Sequence, residues 1–147
     1  MASTLTKLLV HITFSTKGRA SLIPEAIESD LYAYIGGICR RLDSVLLAKG
    51  GTSDHVHLLV NMSKAHTLAE LMLNIKRDSS KWLKDHDGDF AWQDGYFAFS
   101  IGESGVEGLT AYFDHQKEHH ARIDFKDEMR AFFRKYSIEC DERYVWD

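Results

Sequence analysis

Asp54-His55-Val56-His57-Leu58-Leu59-Val60 is an apolar run with two histidines set into it. It reads as a buried strand. Successive side chains of a strand point to opposite faces, so residues two apart share one. His55 and His57 therefore stand side by side, their roots roughly 6–7 Å apart at the strand rise. Two neutral imidazoles at that spacing can converge on one cation. Two core histidines, each bonded to a backbone group, satisfy the same pattern, because a buried imidazole without a partner is costly. The motif is short and common, so the rest of the chain has to decide between them.

Immediately upstream, Gly50-Gly51-Thr52-Ser53-Asp54 is turn chemistry and Val45-Leu46-Leu47-Ala48 reads as a strand. So tight a connection implies an antiparallel hairpin, with the histidine strand central because it is so apolar. Nearer the start, Lys7 to Phe14 is β-rich and forms a first strand. His11 lies inside it, either as a satisfied core histidine or as support behind a metal ligand. The loop Ser15-Thr16-Lys17-Gly18-Arg19 carries two cations. Pro24, Glu25 and Glu28 suit a helix N-terminus. Ile27, Leu31, Tyr34, Ile35, Ile38 and Leu42 recur at helical steps, predicting a helix of about 18 residues. Gly36-Gly37 weakens it locally and leaves room for another backbone. Arg40 and Arg41 fall in its last turn.

Downstream, Thr67-Leu68-Ala69-Glu70 is a capping box. It opens a helix through Leu71, Ile75, Trp82 and Leu83. The opposite face bears Lys76, Arg77, Lys81 and Lys84, a solvated face on the plain reading and still the most basic surface of an acidic chain. Trp92 to Gly95 is a turn, and Tyr96 to Ile101 an aromatic strand. Ser104-Gly105-Val106-Glu107 reads as a second capping box, opening a helix from Val106 to about His120. Val106, Leu109 and Phe113 form its core stripe. Tyr112 and Gln116 lie one turn apart on an adjoining face, with His119 and His120 beyond. By pattern alone Tyr112 is a half-buried boundary residue. Asp124 to Tyr136 is a further amphipathic helix, with Phe125, Met129, Phe132, Phe133 and Tyr136 as a packing stripe. Asp141 to Asp147 fits an edge strand or a docking arm.

The order strand, helix, strand, strand, helix, strand, then helices, is the split ferredoxin-like pattern. It predicts an α+β fold with an antiparallel four-stranded sheet and additional C-terminal helices. The first two helices cover one face, which leaves the other to the helix bearing Tyr112. If the histidines point that way, Tyr112 and Gln116 reach the same metal.

The 147 residues, 44% of them hydrophobic, suit one domain spanning 1–147. No run of about 18 apolar residues offers a transmembrane helix, and Met1-Ala2-Ser3-Thr4 lacks a signal-peptide pattern. Cys39 and Cys140 have no metal or redox spacing and read as reduced thiols of a cytoplasmic protein. A net charge of −4 argues against broad nonspecific nucleic-acid binding and leaves room for a local basic groove.

Four stretches stand in a telling order: His11-Ile12-Thr13-Phe14-Ser15-Thr16-Lys17, Asp54 to Val60, Trp92-Gln93-Asp94-Gly95-Tyr96, and Tyr112 with Gln116. Through them the chain resembles the small single-tyrosine transposases of the HUH superfamily. These include the REP-associated tyrosine transposases and the enzymes of the smallest bacterial insertion sequences. The resemblance covers nearly the whole chain. It implies His55 and His57 as metal ligands, Tyr112 as nucleophile and Gln116 as third ligand. Beyond the family pattern, His119 and His120 offer rival ligands, His119 lying seven residues past Tyr112 on roughly the same face. The resemblance also implies cleavage and rejoining of single-stranded DNA beside a hairpin, through a 5′-phosphotyrosine and a free 3′-hydroxyl. Such a donor set suits Mg2+ or Mn2+, though zinc or nickel can bind more tightly. Lys17, Arg19, Lys76, Arg77 and Lys81 are candidates for tracking phosphates. Two DNA ends and one tyrosine per chain make a homodimer the natural unit, with Tyr112 serving its own subunit or the partner's. The alternatives are a domesticated, non-catalytic binder of structured single-stranded DNA and a metal-binding hydrolase of a small phosphate ester.

Overall fold

The computed structural model describes residues 2–147. Four strands form one antiparallel sheet: β1 (Leu9–Ser15), β2 (Val45–Gly51), β3 (His55–Asn61) and β4 (Phe97–Ser100), in the order β2-β3-β1-β4. The histidine strand β3 is interior, with Ser15 opposite His55 and Thr13 opposite His57 on β1. Among the described residues no helix is long and apolar enough to cross a membrane.

Alternation along the strands divides the interior in two. Ile12, Phe14, Val56, Leu58 and Val60 face α1 (Glu28–Arg41) and α2 (Leu68–Asp87), packing with Leu31, Ile35, Ile38, Leu71, Ile75 and Leu83. His11, His55, His57 and Leu59 turn to the opposite face. That face is covered by α3 (Val106–Asp114), α4 (Gln116–His120) and α5 (Phe125–Lys135). The predicted α+β sheet with its two helix layers is the observed one. At Thr67 the capping box forms as read, Glu70 N–H donating to Thr67 Oγ1 at 3.1 Å.

Five details differ from the sequence reading. β2 runs on through Gly50 and Gly51, which pair with His57 and Val56, so the turn is only Thr52 to Asp54. These glycines serve close approach. A Cβ on Gly50 would overlap the Phe113 carbonyl of α3, and one on Gly51 would stand 2.7 Å from the Tyr32 hydroxyl. The backbone contact expected at Gly36-Gly37 is absent, since only side-chain ends of Arg40 and Leu46 come within 4 Å of a Cβ there.

The first helix begins as a 3-10 turn, Glu25–Ile27, and is regular from Glu28. Ser104 makes no cap. A 3-10 turn, Glu103–Gly105, leads into α3 without a side-chain cap.

The single helix expected from Val106 to His120 breaks at His115 (φ −105°, ψ 16°). Its ring Nδ1 donates to the Ala111 carbonyl at 2.8 Å, and its own N–H turns to Tyr112 O instead. The side chain has displaced the backbone from its helical acceptor.

Asp124 caps α5 by accepting from Asp127 N–H at 2.8 Å. The 141–147 segment is a docking arm. Trp146 packs with Phe97 and Phe133, and Gly95 N–H donates to Asp147 O at 2.9 Å.

Candidate active site

β3 fixes His55 and His57 side by side, both fully buried, their ring centroids 5.1 Å apart. The glycine at position 50 lets α3 lie directly on β2, which carries Tyr112 over the pair. After the break at His115, Gln116 opens α4 and is buried. The amphipathic α5 adds a residue the sequence reading passed over, Glu128, only 1% exposed.

The site converges on this carboxylate. Glu128 Oε1 lies 3.0 Å from His57 Nε2, 3.5 Å from His55 Nε2 and 3.0 Å from His120 Nε2. Its Oε2 accepts from Gln116 Nε2 at 2.9 Å and from the Tyr112 hydroxyl. His119 Nε2 is farther, 3.7 Å from Oε2. Ligand atoms of His55, His57, His120 and Glu128 all lie within 4.8 Å of one another. The structure thus brings together His55, His57, Tyr112, Gln116 and His120, and sets His119 at the edge.

Outer contacts orient the imidazoles. His55 Nδ1 is 2.7 Å from Asp54 Oδ1, and Gln116 Oε1 is 2.9 Å from His55 Nε2. His55 Nε2 thus faces two oxygens, Gln116 Oε1 and Glu128 Oε1, a place where a cation would fit between them. A carboxylate behind an imidazole, as Asp54 stands behind His55, is how ligating rings are held. His57 Nδ1 shares a 2.9 Å hydrogen bond with His11 Nε2. His11 therefore supports His57 from behind, while its Nδ1 finds no partner among Phe99, Phe113 and Phe132.

Burial pushes His57 down to about 4, against the opposing pull of Glu128. Burial, with the neighbouring His57, pushes His11 down to about 3. Both rings are held neutral, as metal ligation and its support require. Burial alone would raise Glu128, but the His120 and His57 imidazoles hold it far below the carboxylate range. Burial and then the Glu128 charge push the Tyr112 phenol above its ordinary value. Tyr112 lines a cleft of about 700 Å³ together with Leu109, His119, Phe132, Lys135 and Tyr136.

The sequence did carry a signal for Glu128. It sits three residues after Phe125 and four before Phe132, on the apolar stripe of α5. A carboxylate at helical spacing within a buried stripe asks for a partner.

The five candidate cations lie elsewhere. Lys76 on α2 donates to the carbonyls of Gln93, Asp94 and Gly95, clamping the loop before β4, and burial pushes its ammonium down to about 8. Arg77 pairs with Asp78 at 2.9 Å and Asn74 at 2.8 Å. Arg19 donates to Trp146 O at 3.1 Å. Lys17 and Lys81 are exposed. α2 packs on the sheet face opposite the histidines, so its cations do not reach the phenol.

The family model described as "Transposase IS200 like" matches residues 4–116. No curated protein sequence matches the chain. Among solved structures, a Deinococcus radiodurans R1 protein described as a candidate transposase aligns with a TM-score of 0.62 at 20% identity. That alignment covers 79% of this chain and 95% of the other. A REP-associated tyrosine transposase bound to a REP hairpin aligns with a TM-score of 0.63 at 13% identity, covering 84% of this chain and 74% of the other. At these identities the two structures speak to the fold alone.

Proposed function

The chain belongs to the IS200-like transposase family, and from that premise we propose that it cleaves and rejoins single-stranded DNA through a 5′-phosphotyrosine at Tyr112. The observation that carries the reading is one carboxylate, Glu128, touched by the phenol, by Gln116 and by the imidazoles of His57 and His120. A nucleophile, two strand imidazoles and an amide oxygen stand at one point.

Tyr112 Oη attacks the scissile phosphorus. The P–O3′ bond breaks, the new Oη–P bond retains the phosphodiester energy, and the departing 3′-oxygen ends as a hydroxyl. A phenol of ordinary pKa near 10 is a weak nucleophile at neutral pH. Its burial beside Glu128 raises it further, so its proton must leave as the attack proceeds. When bound, a divalent ion, Mg2+ or Mn2+, would polarise the phosphate and ease departure of the 3′-oxygen. His55, His57 and Gln116 would hold it through Nε2, Nε2 and Oε1, with His120 the nearer rival to Gln116 and His119 the farther one. A reverse attack by a DNA 3′-hydroxyl releases Tyr112 and rejoins the strand.

The substrate in this reading is hairpin-bearing single-stranded DNA, in line with the hairpin bound by the REP-associated relative. Lys17, Arg19, Arg77 and Lys81 are the phosphate contacts, and Lys76 contributes by holding the Gln93 to Gly95 loop. A homodimer supplies two tyrosines for two DNA ends.

Incubating the protein and Mn2+ with a hairpin-bearing oligonucleotide should give an adduct that survives denaturing electrophoresis. Tyr112→Phe should abolish it; an undiminished adduct in that variant rules the assignment out. A second reading, a non-catalytic binder, draws on the engagement of the Tyr112 hydroxyl by a buried carboxylate. It predicts a shifted band on native gels and no adduct with any divalent metal.

A further inference from the structure

We propose that Glu128 is a ligand of the divalent ion and at the same time the group that holds Tyr112 beside it. One oxygen would serve the ion and the other the nucleophile. This inference rests on the metal-dependent reading above and adds to it an anionic donor that the matched segment, residues 4–116, does not contain.

The two carboxylate oxygens face different company. Oε1 looks at three imidazole nitrogens, those of His57 and His120 at 3.0 Å and His55 at 3.5 Å. Oε2 looks at Gln116 Nε2 and the Tyr112 hydroxyl. An octahedral Mg2+ with bonds of about 2.1 Å sets neighbouring donors roughly 3 Å apart. The His57 and His120 spacings around Oε1 match such edges, and the His55 spacing is half an ångström longer.

His120 adds a second aspect of the same cluster. Its side chain is 9% exposed, and its buried Nε2 points into the cluster 3.0 Å from Oε1 but outside good hydrogen-bond angles, a placement that a shared ion accounts for better than a direct bond does. A carboxylate at 1% exposure is costly to bury, and a shared cation compensates it.

The opposite possibility is that Glu128 plugs the site and competes with the ion. The two differ in sign. Titrating MnCl2 into the full chain by calorimetry, Glu128→Gln should weaken binding by roughly 10–100-fold, the scale on which ligand support is lost. The Mn2+-induced rise in Tm should shrink with it. Equal or tighter binding in that variant overturns the proposal. Tm in EDTA reports whether Glu128→Gln is folded. If it is not, Glu128→Asp withdraws the carboxylate by one methylene and should bind several-fold more weakly; unchanged affinity there also overturns the proposal.

His57→Ala separates the two levels. If the wild type binds Mn2+, His57→Ala loses it and Glu128→Gln does not, then Glu128 is no ligand and the proposed function stands. If the wild type binds no Mn2+ at all, both fall.

Discussion

His57 and His11 form a hydrogen-bonded pair of buried imidazoles, and their neutrality has a consequence for stability. Each is near 6.5 when unfolded and is held at about 4 and about 3, respectively, in the fold. Above pH 6.5 both states carry neutral rings and nothing is lost. As pH falls below 6.5 the unfolded chain takes up protons that the folded chain refuses, so stability drops until the folded values are passed. Each ring accounts for roughly 3–5 kcal/mol over that window at about 1.4 kcal/mol per unit. Glu128, depressed from 4.5, adds a further loss below that value. In EDTA, the urea midpoint should therefore fall steadily between pH 7 and pH 4; a flat profile would mean the rings are not held neutral. At this scale His55 and His57 were legible because a strand's period of two fixes a shared face. Glu128 was not, because a helical stripe of Phe and Met reads as packing and hides the one acid that packing cannot explain.

Elements place these residues, and glycine decides how closely. α3 can bring Tyr112 over the histidines because β2 offers Gly50 beneath the Phe113 carbonyl. Gly50→Ala should force the helix off the sheet and cost about 1–3 kcal/mol, as other overpacked cores do. Chemical denaturation would measure that cost, together with a weaker Tyr112-dependent adduct. Should Gly50→Ala unfold at the wild-type midpoint, the contact is softer than it looks. The interior place of β3 was legible from its apolar run, and the helix layers from the succession of strands and helices. The sequence misplaced what depends on contacts between distant segments. The Gly50-Gly51 pair reads as turn chemistry until α3 is seen against it, and Ser104 reads as a cap until a 3-10 turn precedes the helix.

Over the whole molecule, the sheet separates a packing side from a chemical side. α1 and α2 bury the aliphatic face, while α3, α4 and α5 enclose the histidines. The 141–147 arm bears on the second side through α5. Trp146 packs on Phe97 and Phe133 and lies under the side chains of Lys126 and Arg130, at 5.4 and 5.5 Å. Trp146→Ala should cost about 3 kcal/mol and loosen α5, and with it Glu128. Amide hydrogen exchange would then quicken in α5 while β3 stays protected; equal quickening in both would show that the arm serves the fold at large.

The joint at His115 has its own consequence. Tyr112 and Gln116 would ride one rigid rod if the helix ran unbroken, and any travel of the phenol toward a DNA strand would drag the amide along. Because a single non-helical residue parts them, the phenol and the amide are aimed by two separate helices, and each side chain takes its direction from its own helix's seat on the sheet.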